Sequence, residues 1–311
     1  MKHMARHAKQ RKVRKGRVFG TILLLLILVV IGLGIAGFFQ YKSSLKAAEA
    51  DNQLKEFTFN GEAPSGGSVN VLFIGSDSRG EDQGRSDSLM IAHYDKKKKE
   101  PKIVSLMRDT YVDIPGHGKN KINAAYSFGG PELVRQTVKE NFGIDCNYYV
   151  VTSFESFPKV IDTLAPDGIE IDAEKDMSQN IDANIKAGKQ KMDGHTLLQY
   201  ARFRKDAEGD FGRVRRQQQV LEAVKDQAIT ATSVFKLPSV LGTVQGYTTT
   251  DLPTSLVLKT GMDFALGRTS DLETLTVPVK GTWQNERISG AGAVLRIDVA
   301  KNAAAVQDFI K

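Results

Sequence analysis

The stretch Val69-Asn70-Val71-Leu72-Phe73-Ile74-Gly75-Ser76-Asp77-Ser78-Arg79 decides the fold. Its first six residues are β-prone and, Asn70 apart, apolar, as in a strand covered on both faces. Ser88–Tyr94 and Lys102–Met107 have the same character and read as its neighbours. The charged run Asp95–Pro101 between them reads as a solvated hairpin loop with no function of its own. A buried strand that runs straight into Gly75-Ser76-Asp77-Ser78-Arg79 brings polar chemistry to the end of a sheet.

Further along, helix and strand alternate. Ala124–Phe142 carries a helical pattern interrupted at Gly129-Gly130-Pro131, with Pro131 suited to a first turn. Tyr148–Thr152 reads as a strand, Phe154–Leu164 as a helix, Gly168–Ile171 as a strand, Thr196–Ala201 as a short helix and Arg213–Ile229 as a long one. A helix at Thr254–Leu266, strands near Leu272–Val277 and Val294–Ile297, and a last helix ending at Ile310 are expected to complete the same sheet. The predicted fold class is therefore α/β or α+β, a central mixed β-sheet flanked by helices, with no internal repeat.

Upstream, the 22 residues Val18–Phe39 hold no charge, long enough to cross a hydrocarbon core of about 30 Å. Residues 1–17 carry eight basic side chains and no acidic one. They therefore account for the whole excess of the +7 net charge (+7 − 8 = −1 for the rest). That asymmetry predicts a cytoplasmic basic arm (1–17), one transmembrane helix (18–39), an extracytoplasmic stalk (40–67) and an outer domain (68–311). The basic arm fits orientation and anionic lipid, and a near-neutral outer domain argues against nucleic acid as a partner. Ala48-Glu49-Ala50 has the form of a signal-peptide cleavage site, but the apolar run exceeds a usual signal sequence and the site lies well beyond its end. A single cysteine, Cys146, excludes an internal disulfide.

Three clusters carry candidate chemistry. In the first, Asp77 and Asp87 flank a loop between two expected strands. If those strands pair, the carboxylates approach one another and offer the hard oxygens that Mg²⁺ or Mn²⁺ prefers; otherwise they make turn hydrogen bonds. In the second, Arg108-Asp109-Thr110 ends a buried strand, where arginine is either paired with Asp109 or Asp87 or set to recognise an anion. Lys121 follows a Gly-rich loop as a further point charge. The third is the densest: Arg202-Phe203-Arg204, then Asp210 among glycines, then Arg213, Arg215, Arg216 and Gln217. An extended Arg202–Arg204 segment would put both guanidiniums on one face with Phe203 buried opposite. On the next helix Arg213, Arg216 and Gln217 fall at i, i+3 and i+4, near a helix start that favours anions. Asp210 caps that helix or orients an arginine or a nucleophile. No P-loop, catalytic triad or histidine metal spacing is present.

In order, Val71–Arg79, Arg85-Ser86-Asp87, Arg108-Asp109-Thr110, Lys121–Tyr126, Gly188-Lys189-Gln190 with Gly194, and Arg202–Gln218 resemble the LytR-CpsA-Psr family over residues 68–230. The resemblance implies a membrane-anchored enzyme, with its N-terminus cytoplasmic and its catalytic domain on the outer face of the cell membrane. Such enzymes transfer a glycopolymer, teichoic acid or capsule, from a polyprenyl pyrophosphate carrier to peptidoglycan. It further implies Asp77 and Asp87 as Mg²⁺ (or Mn²⁺) ligands, and Arg85, Arg108, Lys121, Arg202, Arg204, Arg213 and Gln217 as phosphate-binding residues. Met107 stands where that family often has proline, a change that leaves the charge alone.

Cleaving a doubly anionic pyrophosphate diester requires neutralisation of its oxygens, which an arginine array supplies. Arg108, Arg202 and Arg204 are the expected electrostatic catalysts. Asp87 or Asp210 would polarise the attacking hydroxyl, and no ATP is needed. Rival readings are a lipid-pyrophosphate binding protein without turnover, a pyrophosphatase using the same residues, and a transcription regulator. A 17-residue cytoplasmic arm is too short to fold into a DNA-reading domain.

Overall fold

The computed structural model describes residues 34–49, 56–64, 67–76, 84, 86–228 and 235–311. The basic arm, most of the apolar segment, Asp77 and Arg85 lie outside the described residues. The chain opens with helix α1 (residues 34–49), followed by β1 (Ser68–Ser76), β2 (Ser86–Asp95) and β3 (Glu100–Leu106). Next come β4 (Thr110–Ile114), β5 (Gly118–Lys121), α2 (Ala124–Phe142), β6 (Tyr148–Ser153) and α3 (Ser156–Leu164). The middle holds β7 (Ile169–Ala173), β8 (Gly188–Met192), α4 (Gly194–Arg202) and α5 (Asp210–Ala228). The remainder is α6 (Leu237–Tyr247), β9 (Thr248–Thr250), α7 (Thr254–Ala265), β10 (Glu273–Val277), β11 (Trp283–Ile288), β12 (Gly292–Ile297) and α8 (Val299–Phe309).

β1 lies inside a six-stranded mixed sheet of order β10-β3-β2-β1-β6-β9. It runs antiparallel to β2 and parallel to β6. Its alternation serves two cores, as expected of a strand covered on both faces. Leu72 and Ile74 pack with Val134, Val138 and Phe142 of α2 and Val306 of α8, while Val69 and Val71 face Val150, Leu252 and Leu256. Helix α2 is broken where the sequence implied, at Gly129 and Gly130, the latter with φ +64°, a left-handed value glycine adopts without steric cost. Pro131 then restarts the helix.

Two expectations need correction. β10 joins the main sheet beside β3, but β12 does not: with β11, β4 and β5 it forms a separate four-stranded sheet. The reason lies at Thr110-Tyr111, where the chain leaves β3, turns at Met107-Arg108-Asp109 and pairs with Leu295-Arg296 instead. The second concerns Arg202, which is the last helical residue of α4; the chain becomes extended only at Phe203 (φ −60°, ψ 134°). Asp193 starts that helix by accepting the Thr196 backbone N–H at 2.8 Å.

Of the segment before β1, α1 packs along α6, and Phe57 and Phe59 lie against the main core. Among the described residues no helix is long and apolar enough to cross a membrane.

Candidate anion site

One end of the main sheet collects the functional side chains. Register pairs Ser76 with both Ser86 and Ser153, and Leu89 with Leu106, so the end of β1, the start of β2 and the ends of β3 and β6 open on one side. The pairing of β1 with β2 shifts register between Gly75 and Ser76, at this same end. Crevices beyond strand ends are where open α/β sheets hold ligands.

Arg108 stands just past β3, its backbone pinned from both sides. Its carbonyl accepts the Asn123 N–H at 3.3 Å, and the Asp109 carbonyl accepts the Leu295 N–H at 2.8 Å. The guanidinium donates from Nη1 to Asp87 at 2.5 Å and from Nε to Asp210 at 3.2 Å. Burial disfavours its charge, yet Asp210, Asp87 and Asp109 outweigh that and raise its pKa. Both sequence-expected partners, Asp87 and Asp109 (3.7 Å), thus meet Arg108, and Asp210 is a third.

Helix α5 crosses the sheet beside this end and is held there by amides. Gln217 Nε2 donates to Ser88 Oγ at 2.7 Å, and Gln218 Nε2 to Ser105 Oγ and Thr276 Oγ1, each at 3.1 Å. Arg213, one turn earlier, is only 5% exposed, and its Nε has no hydrogen-bond partner among the described residues. Its pKa is lowered chiefly by burial, with Asp210 opposing and Arg108 adding to the fall. Its Nη1 stands 3.7 Å from Asp210, so the charge is compensated by one loose ion pair while Nε stays unsatisfied, and a bound anion would complete it.

Arg202 and Arg204 reach the same place from the end of α4, with buried Phe203 between them, so the expected common face is kept although the segment is not a strand. Together Asp87, Arg108, Arg202, Arg204, Arg213 and Gln217 line a cavity of about 200 Å³. Phe154, Ser88, Gln179 and Asn180 complete it, and none of these was singled out from sequence. Phe154 had a usable signal as the residue following a strand end; here its ring carries Arg202 at 4.3 Å. Phe154, Asn180 and Arg202 also border a larger cavity of about 1100 Å³.

Three expected residues stand apart from this lining. Asp210 holds Arg108 from behind. Lys121 turns to Asp109, with Nζ 2.8 Å from its carboxylate. Arg216, expected on the anion-binding face of α5, is fully buried on Glu174 (2.7 Å), Asp206 (2.9 Å) and the Phe203 carbonyl (2.7 Å), so it braces the Arg202–Arg204 segment from inside. Asp77 and Arg85 lie outside the described residues.

Charge gives the site its character. Four guanidiniums (Arg108, Arg202, Arg204, Arg213) and one carboxylate (Asp87) line the cavity, with Asp109 and Asp210 paired to Arg108 outside it, so the lining is net positive. Such a lining complements an anion with several charged oxygens.

Comparison with known proteins agrees with this geometry. The model of the LytR_cpsA_psr family matches residues 35–305. The regulatory protein MsrR of Staphylococcus aureus (strain COL) is 43% identical over 271 residues, covering 87% of this chain and 83% of that protein. The polyisoprenyl-teichoic acid–peptidoglycan teichoic acid transferase TagU of Enterococcus faecalis is 35% identical, covering 79% of this chain and 82% of that one. The crystal structure of B. subtilis TagV superposes with a TM-score of 0.67 at 30% identity, over 78% of this chain and 97% of that chain. The chain belongs to the LytR-CpsA-Psr family.

Proposed function

We propose that this protein is a membrane-anchored, extracytoplasmic phosphotransferase that moves a glycopolymer from a polyprenyl pyrophosphate carrier to peptidoglycan. The observation that carries this reading is the convergence of four guanidiniums on one cavity with a single carboxylate in its lining, Arg213 among them buried with its Nε unpaired among the described residues. The name of the TagU relative, a teichoic acid transferase acting on peptidoglycan, supports the same class.

The acceptor hydroxyl oxygen attacks the phosphorus next to the glycopolymer, and the bond from that phosphorus to the bridging oxygen breaks. Polyprenyl phosphate leaves, and the hydroxyl proton passes to Asp87, the carboxylate in the cavity lining, while Asp210 holds Arg108 in place. Arg202, Arg204 and Arg213 neutralise the oxygens on which charge gathers, a contribution that grows where water is excluded. The pyrophosphate itself supplies the driving force.

Among the described residues no three acidic, histidine or cysteine side chains form a metal cage. Mg²⁺ nevertheless suits the site, because it is usually held by one or two carboxylates plus substrate phosphates, and Asp87 lines the cavity. Asp87, with Asp77, would hold it, and when bound it would add charge neutralisation on phosphoryl oxygens.

The test is full-length protein in detergent with a polyprenyl-pyrophosphate-linked saccharide, with and without a peptidoglycan oligomer. Release of polyprenyl phosphate coupled to a new phosphodiester on the acceptor is the expected result. Release without an acceptor product would make the protein a pyrophosphatase, and no release a binding protein.

A further inference from the structure

The apolar surface of this molecule is not scattered. Of the eight large hydrophobic side chains exposed among the described residues, seven lie in one corner made by three helices. Ile35, Phe38 and Phe39 belong to α1, Phe235 precedes α6, and Leu258, Met262 and Leu266 recur every fourth residue along α7 and its end, forming one stripe. Phe39 and Phe235 are 66% and 71% exposed. An apolar patch of this kind on a folded domain marks an interaction surface.

The three helices are locked together, so the corner is a single surface. At α6, Gly242 and Gly246 let the α1 backbone approach closely. A Cβ at Gly242 would collide with the Tyr41 carbonyl oxygen, and one at Gly246 with Ala48 Cβ. Tyr41 donates to Gln245 at 2.6 Å, and Ser44 meets Ser239 at 2.8 Å. On the other side Gly261 of α7 faces Leu237 at the start of α6.

Two observations identify what covers the patch. The chain preceding α1 is the uncharged run that begins at Val18, so the corner sits where that run meets the domain. Exposed Lys42, Lys236, Lys259 and Arg268 flank the apolar side chains, the arrangement that suits an anionic headgroup layer. We propose that this α1–α6–α7 corner rests in the headgroup and outer acyl layer of an anionic bilayer, and so holds the arginine cavity in a fixed orientation above the membrane. This rests on the reading of residues 18–39 as a membrane anchor.

The test uses full-length protein in vesicles of phosphatidylcholine and phosphatidylglycerol, with an environment-sensitive fluorophore on Met262→Cys, Leu266→Cys, Phe39→Cys or Ser289→Cys. Native Cys146 is buried, with its thiol pKa raised by burial, and stays unlabelled. Lipids carrying a nitroxide high on the acyl chain are expected to quench positions 262, 266 and 39 about twofold, as for groups held about 5–10 Å into the boundary. Position 289, in the β11–β12 turn, should be unaffected. Quenching at 39 without 262 and 266 would overturn the footprint and leave the anchor standing. Protein that does not float with the vesicles and is unquenched everywhere would remove both. Shielded but unquenched probes at 262 and 266, with self-quenching between labelled chains, would assign the patch to a second copy and overturn the proposal as well.

Discussion

The indole of Trp283 stacks on Phe211 with ring centroids 4.8 Å apart and planes at 27°. Phe211 adjoins Asp210 in the first turn of α5, and Val214 on the same helix packs with Met107 and Leu295. The C-terminal sheet thereby fixes the helix start that bears Asp210 and Arg213. We expect Trp283→Ala to cost about 1–2 kcal/mol, the value of a partly buried aromatic pair. Denaturant unfolding checks the stability, and a rise in KM exceeding the fall in kcat would show that the pocket is loosened rather than its chemistry removed.

Arg202 and Arg204 converge on the cavity from either side of Phe203. Arg202→Ala or Arg204→Ala should each cost about 3 kcal/mol of transition-state stabilisation, as for loss of one positioned electrostatic donor. Lysine at either position should restore little, because a point charge does not reproduce a planar fork. Transfer assays with a lipid pyrophosphate read both, and near-normal rates for the alanine variants would remove the arginines from the mechanism.

Adjacent arginines of α5 should behave differently in folding. Arg216, fully buried on Glu174, Asp206 and the Phe203 carbonyl, should cost about 3 kcal/mol when replaced by alanine, since two carboxylates lose their buried partner. Arg215 is 45% exposed and should cost under about 1 kcal/mol. Urea midpoints for the two variants test the contrast.

Acid should weaken the fold through Glu132. Burial pushes its carboxyl up, but Arg135, the Asn60 N–H and Gln136 outweigh that and hold it at about 2 against an ordinary value of 4.5. A carboxylate with a depressed folded pKa contributes stability that is complete above pH 4.5 and is lost as pH falls through 2. In Arg135→Gln the slope of stability against pH in that window should flatten, as measured by urea titrations at stepped pH.

The elements legible in the sequence were those whose side chains alone set their environment. β1 to β3 announce themselves as apolar runs, and the α2 break as Gly129-Gly130-Pro131. β5 (Gly118–Lys121) and β8 (Gly188–Met192) are short and largely polar, so nothing in their composition separates them from loops. α6 contains Pro238, Gly242 and Gly246, poor helix formers whose use appears only once α1 lies against them. In the site, the arginines were legible because buried arginine requires a partner. What separates Arg213 from Arg216 was not, because Glu174 and Asp206 reach Arg216 only in the folded chain.

The most direct measurement is calorimetric titration of the full-length protein with geranyl pyrophosphate, a short mimic of the lipid carrier. Binding of one molecule per chain is expected, weakened at least about tenfold, or 1.4 kcal/mol, in each of Arg202→Ala, Arg204→Ala and Arg213→Ala. Affinity unchanged in all three variants would contradict the arginine cavity as the pyrophosphate site.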